Sequence, residues 1–145
     1  EYGFAYGHDG TALHGKILFD ATTAGGLEDA YRHGGYNHFT IGELLQPIEQ
    51  TARLCGMRYL PPFALFGARK AVGEGRCKTH VADWVRLLEA LRDGRVDLKR
   101  ARALPQLNDD LDAIIERSTS PHHLFHTITE DGAMRLHMTR RLIAS

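Results

Sequence analysis

The stretch best suited to chemistry runs from Thr22 to Gly26, where two hydroxyl side chains precede Ala24 and a pair of glycines. Hydroxyl and main-chain N–H groups supply hydrogen bonds, and glycines let a backbone approach a flat ligand closely and take positive φ. The pattern therefore predicts a loop that holds a planar ligand. The alternative is an ordinary glycine turn after a strand, since paired glycines mark turns in many folds.

A second group of candidate side chains follows in residues 27–39, a segment rich in glycine and aromatics. Tyr31, Tyr36, Asn37 and His38 carry groups that can hydrogen-bond to a ligand or stack on it. The segment is predicted as a long loop next to the glycine pair, and loops of this length in compact domains are typically functional. Each of these side chains, taken singly, also fits a structural role.

The strand that must position the first group is predicted at residues 17–19. Ile-Leu-Phe is an unbroken apolar run, which is typical of a parallel strand covered on both faces. Such a strand ends at the carboxyl edge of its sheet, where open α/β folds bind their ligands. The loop at Thr22 is therefore expected at that edge.

A helix and a second strand come next. The helix is expected to begin at Thr40, an N-cap with Glu43 three residues later, and to end at Gly56. Pro47 is expected to kink it near its middle. The expected apolar stripe is Ile41, Leu44, Leu45, Ile48, Ala52 and Cys55. The second strand is predicted at residues 63–66. This β-loop-α-β order requires a parallel crossover.

Further helices complete the predicted elements. One is expected over residues 79–93, with Trp84 as a core anchor. Its expected stripe is Val81, Trp84, Val85, Leu88 and Leu91. Residues 95–102 are predicted to form a solvated connection. Asn108 is expected to cap a third short helix, and residues 134–143 are predicted as a weak final element. Because two strands cannot form an independent buried sheet, the chain is interpreted as the second half of a doubly wound α/β domain.

Composition excludes several classes of function. The 145 residues carry 18 basic and 18 acidic side chains, so nucleic-acid binding is not expected. No apolar run approaches the roughly 20 residues of a spanning helix, so no membrane span is expected. Two cysteines give no disulfide framework, and a location in the reducing cytoplasm is expected. Of nine histidines only His122, His123 and His126 cluster, and no metal site is predicted.

Several motifs together resemble the flavodoxin-like NAD(P)H:quinone oxidoreductases, in particular bacterial quinone reductases and the ancillary oxidoreductases of glutathione-gated potassium efflux. They span roughly residues 1–70. The motifs are Gly3-Phe-Ala-Tyr-Gly7, Thr11-Ala-Leu-His-Gly-Lys16, Thr22-Thr-Ala-Gly-Gly26, Glu28-Asp-Ala-Tyr31, Gly34-Gly-Tyr-Asn37, Leu45-Gln-Pro47, Cys55-Gly56 and Leu60-Pro-Pro-Phe63. The resemblance implies a partial flavodoxin-like flavin-binding domain over residues 1–117. Residues 118–145 would form an extension of unknown role, and the family's first strand and flavin-phosphate loop would lie upstream of Glu1.

The resemblance also implies site residues and a cofactor, FMN or FAD. The positions that match the family's flavin-contacting loop are Thr22, Thr23, Ala24, Gly25 and Gly26. Tyr31 would reach the edge of the isoalloxazine and supply charge stabilisation or a proton, with Asn37 or His38 as a neighbouring polar group. Tyr6 and His8 match aromatic positions that cover the partner's substrate pocket across a dimer interface.

The activity implied is two-electron reduction of a quinone by NAD(P)H through the flavin, in ping-pong order. A homodimer is expected, and docking on a membrane antiporter would bring the protein to the inner membrane. The alternative is a non-catalytic interaction module, either a regulatory subunit of a potassium-efflux system or a remnant that no longer binds flavin.

Overall fold

The computed structural model describes residues 2–116, which form an α/β arrangement in which short strands and helices alternate. The strands are β1 (Ile17–Leu18), β2 (Ala21–Thr23), β3 (Arg58–Tyr59) and β4 (Phe63–Leu65). The helices are α1 (Ile41–Leu44), α2 (Gln46–Leu54), α3 (Ala68–Ala71), α4 (Arg76–Arg92), α5 (Leu98–Ala101) and α6 (Leu111–Ile114). None of these helices is long and apolar enough to cross a membrane. The element predicted at residues 134–143, the extension 118–145 and the histidine cluster at 122–126 lie outside the described residues.

The strands pair in parallel, as the predicted crossover requires. β1 pairs with β3 and β2 with β4. Between the two pairs, Leu60, Pro61 and Pro62 lie opposite only Phe19 and Asp20, so the ladder is interrupted by one extra residue. Two consecutive prolines have no N–H to donate, which explains the interruption.

The outer edge of β1 is more open than its sequence predicts. Ile17 remains 38% exposed, so burial on both faces is wrong for this residue within the described structure. β1 ends at Leu18, and a separate strand that was not predicted, β2, follows, so Thr22 and Thr23 are paired in a strand and do not lie in the following loop.

The first helical segment begins where predicted but is broken earlier. Thr40 forms the expected capping box with Glu43. Leu45 then leaves the helical conformation at ψ 2°, and Pro47 lies in the first turn of a new helix, where a missing N–H costs nothing. Gly56, at φ +67°, ends α2, and the N–H of Met57 donates to the Ala52 carbonyl.

The main core lies between the second ladder, α4 and the segment that follows α4. Trp84 packs its ring 5.6 Å from that of Phe19 and 5.2 Å from that of Phe63, which confirms its role as a core anchor. Leu60, Leu87 and other fully buried side chains surround these rings. A smaller cluster of Ala24, Ala64 and Phe66, with Tyr31 and Ile41 against it, lies at the end of β2.

The buried face of α4 differs from the predicted stripe. Val81, Val85 and Leu88 are exposed, whereas Leu87 and Ala90 are fully buried. Apolar residues occur on more than one face of this helix, so periodicity alone does not choose between them. The large ring of Trp84 packs against the sheet. Leu87 and Ala90, three and six residues later, therefore lie in the core.

The segment after α4 is more structured than predicted. Asp97 caps α5, so residues 95–102 are not merely a solvated connection. The cap of α6 is Asp110, whose carboxylate accepts from the Ala113 N–H, and the prediction of Asn108 as cap is wrong. The Asn108 amide instead bonds to both backbone polar groups of Ala64.

The two neighbouring leucines of α4 provide a direct test of this packing. We expect Leu87→Ala to lower the free energy of unfolding by about 2–5 kcal/mol, because it removes a fully buried side chain from the core. The matched control, Leu88→Ala, changes a side chain that is 42% exposed and should cost clearly less. Urea denaturation of both variants measures the difference. An equal or larger loss for Leu88→Ala would contradict the orientation of α4.

Candidate functional site

The end of β2 is fixed by three backbone hydrogen bonds. The Ala24 N–H donates to the Leu65 carbonyl at 2.9 Å, and the Ala24 carbonyl accepts from the Ala68 N–H at 3.0 Å. The Gly26 carbonyl accepts from the Gly67 N–H at 2.8 Å. Ala24 is therefore buried with both main-chain groups engaged, and its N–H is not the free donor that the sequence led us to expect.

The glycine pair is open towards solvent on one side. A Cβ placed on Gly25 would meet no atom within 4 Å, and within residues 2–116 neither Gly25 nor Gly26 donates its N–H to a hydrogen bond. Neither glycine has positive φ, so that part of the sequence interpretation is wrong. What the pair provides is two N–H groups that make no hydrogen bond within the described residues, with open space beside Gly25 and the Tyr31 ring beside Gly26.

Tyr31 forms a wall beside the glycine pair. A Cβ on Gly26 would lie 3.2 Å from a ring carbon of Tyr31, and the ring packs 5.2 Å from that of Phe66 at an angle of 45°. The Tyr31 N–H donates to the Glu28 carbonyl at the end of the 3-10 helix Glu28–Ala30. Its hydroxyl makes no hydrogen bond to any described residue, so it is available to a ligand.

The loop returns towards Tyr31 at Asn37. The Asn37 N–H donates to the Ala30 carbonyl at 2.9 Å, and Gly35 approaches so closely that a Cβ there would lie 2.3 Å from the Asp29 carbonyl oxygen. This bond holds Asn37 against Ala30, the residue that precedes Tyr31. His38 has φ +62° and an exposed side chain, and the structure gives it no partner that would direct it to the glycine pair.

Tyr6 and His8 are not brought to this loop. Tyr6 packs edge-on against Tyr2 at 5.8 Å, and His8 is exposed. Both lie in the segment that leads to the amino end of β1, whereas the glycine pair follows the carboxyl end of β2. No hydrogen bond or ring contact in the described part of the chain joins them to Tyr31.

A carboxylate beside the loop is strongly stabilised in its charged form. The Thr40 N–H donates to Glu43 at 2.8 Å, and His33 from the loop lies 2.9 Å from the same carboxyl group. The Thr40 backbone bond first, and then the His33 contact, lower the pKa of Glu43 to about 2. This pair ties residue 33 of the loop to the start of α1.

Sequence reasoning did not predict a concavity that the structure forms beside α2. A cavity of about 490 Å³ lies between α2 and residues 102–105, away from the glycine pair. Its lining includes Glu49, Arg53, Tyr59 and Arg102. Tyr59 donates to Asp20 at 2.5 Å, and burial together with that carboxylate raises the pKa of Tyr59. The lining comes from distant parts of the chain and carries no local signature.

The residues around the glycine pair fit one face of a flavin ring. Two free N–H groups can donate to carbonyl oxygens of a flat heterocycle, and the tyrosine wall limits its position on one side. Within residues 2–116 no cluster of three or more His, Cys, Asp or Glu side chains could hold a metal ion. The two backbone donors and the tyrosine ring suit an organic ligand that carries carbonyl groups.

The first part of the chain is similar to known proteins. Residues 1–88 match a family model described as "Flavodoxin-like fold". General stress protein 14 of Bacillus subtilis is 47% identical over 73 residues, which are 50% of this chain and 42% of that protein. The glutathione-regulated potassium-efflux system ancillary protein KefF of Salmonella newport is 51% identical over 70 residues, which are 44% of this chain and 35% of that protein.

A solved structure shows the same fold. The crystal structure of a general stress protein 14 from Treponema denticola, in complex with FMN, superposes with a TM-score of 0.56 and 34% identity. The match covers 63% of this chain and 51% of that one. The chain spans less than half the length of the two curated relatives.

The two glycines should respond differently to the same substitution. We expect Gly26→Ala to displace the Tyr31 ring, because the added methyl group lies 3.2 Å from a ring carbon, whereas Gly25→Ala meets open space. NMR chemical shifts of the Tyr31 and Phe66 ring protons measure the displacement. Equal shifts in both variants would contradict the packing of Tyr31 on Gly26.

The depressed pKa of Glu43 predicts a pH dependence of stability. Its folded pKa of about 2 lies below the ordinary 4.5, so its stabilising effect is complete above about pH 4.5 and is lost as the pH falls towards 2. We expect Glu43→Gln to be less stable than the parent near neutral pH, with the gap closing over this interval. Denaturation from pH 7 to pH 2 measures it. Glu89→Gln, on exposed α4 surface, is the control, and a constant gap for Glu43→Gln would contradict the prediction.

Proposed function

Because the chain belongs to the flavodoxin-like family that its residues 1–88 match, we propose that it binds a flavin and transfers electrons from NAD(P)H to a quinone. The observation that carries this proposal is the pair of unused N–H groups of Gly25 and Gly26 beside Tyr31, at the carboxyl end of a parallel strand. Ligands of open α/β sheets bind at this edge. The FMN complex of the relative with the same fold supports FMN over FAD as the cofactor.

The proposed site residues divide by role. The N–H groups of Gly25 and Gly26 would hold carbonyl oxygens of the ring and stabilise negative charge there. Thr22, Thr23 and Ala24 support them from β2 and its end, Ala24 through buried packing rather than through a free donor. The flavin itself supplies the hydride chemistry.

Tyr31 is the proposed proton donor. Its hydroxyl is unpaired within the described residues, while its ring is held by Phe66 and Gly26. A positioned hydroxyl can stabilise charge on a reduced quinone or donate a proton to it. Asn37, bonded through its N–H to Ala30, is the proposed neighbouring polar group, and His38 is retained as the alternative at this position.

The complete site is proposed to form in a homodimer. Tyr6 and His8 lie on the amino side of β1 and so do not reach the glycine loop of their own chain through any described contact. A second copy would bring them over the partner's substrate pocket. A ping-pong order follows if the nicotinamide and the quinone use this one pocket in turn. We propose that the protein acts in the cytoplasm.

A second candidate function is a regulatory subunit. The similarity to the potassium-efflux ancillary protein favours it, since 70 residues are 51% identical. In this case the chain would dock on a membrane antiporter, and flavin binding would be dispensable for docking.

The full-length gene product provides the test. We expect it to purify yellow, to lose its flavin absorbance when NADPH is added without oxygen, and to regain it when a quinone follows. Tyr31→Phe should lower the rate of quinone reduction by about a hundredfold, because it removes only the hydroxyl. Stopped-flow absorbance measures both half-reactions.

Tyr36→Phe is the matched control, since Tyr36 lies in the same loop but is 88% exposed. It should leave the rates unchanged. A colourless protein that oxidises no NADPH would favour the regulatory subunit. Equal rates for Tyr31→Phe and Tyr36→Phe would exclude Tyr31 as the proton donor.

A further inference from the structure

Residues 104–109 lie outside the family match yet contact the site. The match ends at residue 88. Beyond it, the Leu107 N–H donates to the Pro62 carbonyl at 2.9 Å. Asn108 accepts from the Ala64 N–H at 2.9 Å and donates to the Ala64 carbonyl at 3.0 Å, so its amide serves as a further strand partner. Ala64 is paired with Thr22 on its other side.

Within this segment Gln106 reaches the ligand loop. Its side chain is buried, with the residue only 5% exposed, and its Nε2 donates to Glu28 Oε1 at 3.0 Å. Glu28 begins the 3-10 helix, and its carbonyl accepts the Tyr31 N–H at 2.8 Å. The Gln106 backbone is itself held by Asp109, whose carboxylate accepts the Gln106 N–H at 3.1 Å. One side-chain bond thus links the rigid edge of β4 to the turn that carries Tyr31.

We propose that Gln106 is a positioning residue that holds the 3-10 helix, and through it Tyr31, in register with the glycine pair. This inference rests on the proposed function for the identity of the ligand. Residues 104–109, which lie beyond the residues that match the family, would then form a clamp on this loop. The clamp has two anchors, Asn108 on Ala64 and Gln106 on Glu28.

The two residues joined by the Gln106–Glu28 hydrogen bond differ in burial, which is why the bond can hold the 3-10 helix in place. Gln106 is buried and supported by the main core, in which Leu107 is fully buried, whereas Glu28 is exposed at the surface. Short exposed turns open easily, and a hydrogen bond from a buried amide to a carboxylate opposes the opening. Loss of this bond should release the 3-10 helix while the core remains folded.

Amide hydrogen exchange of the flavin-free chain tests the clamp without reference to activity. Gln106→Leu should speed exchange of the Ala30 and Tyr31 N–H groups by about tenfold, with little change at Ala90 in the core. Glu28→Ala removes the exposed partner of the same hydrogen bond and should give the same increase in the exchange rate. This variant leaves the core unchanged, so it tests the bond even if Gln106→Leu fails to fold. Glu28→Gln keeps an acceptor and should restore slow exchange.

The controls separate a clamp from general destabilisation. Gln50→Leu changes an exposed glutamine of α2 and should leave exchange at Tyr31 unchanged. The double variant Gln106→Leu with Glu28→Ala should exchange no faster than either single variant, because both remove one bond. Unchanged exchange at Tyr31 in Glu28→Ala, or additive effects in the double variant, would overturn the proposal.

Flavin binding provides the second arm. If the full-length protein binds FMN, Glu28→Ala should raise the FMN dissociation constant, measured by quenching of flavin fluorescence, whereas Gln50→Leu should not. A parent protein that binds no FMN would overturn the proposed function but leave the exchange result to decide the clamp. Faster exchange with unchanged FMN affinity would overturn the positioning role.

Discussion

The structure of the site depends on the way the end of β2 is fixed to the opposite strand. Ala24 uses both of its main-chain groups, one to Leu65 and one to Ala68, and Gly67 engages the carbonyl of Gly26. These bonds hold the backbone on one side and leave the N–H groups of the glycine pair on the other. Such a corner presents backbone donors without any polar side chain, because the sheet itself orients them.

The rest of the described chain supports this corner from two directions. The loop that carries Tyr31 is attached to α1 through His33 and Glu43, and to the segment after α4 through Gln106 and Glu28. That segment in turn follows the edge of β4 and packs into the main core with Trp84. The aromatic wall is thereby held by residues far away in sequence, which gives a solvent-exposed loop a defined position.

Local signals in the sequence predicted what local interactions decide. The capping box of Thr40 and the stop at Gly56 follow from neighbouring residues and are confirmed. The parallel direction of the strands follows from the order of the elements and is confirmed, but residues 17–18 pair with 58–59, and residues 63–65 pair with 21–23. The buried side of α4 was not predictable, because apolar residues cover more than one face and only docking of Trp84 selects Leu87 over Leu88. The tertiary roles of Asn108 and Gln106 were hidden for a related reason, since an asparagine before a short helix resembles a cap until its strand partner is known.

The most direct test of the central claim is an NMR titration of the isotope-labelled protein with FMN. If the flavin lies against the glycine pair, the amide signals of Gly25 and Gly26 should shift most, together with the ring signals of Tyr31. Amides around Arg53 and Arg102, which line the separate cavity beside α2, should stay in place. Shifts centred on that cavity, with Gly25 and Gly26 unchanged, would contradict the account.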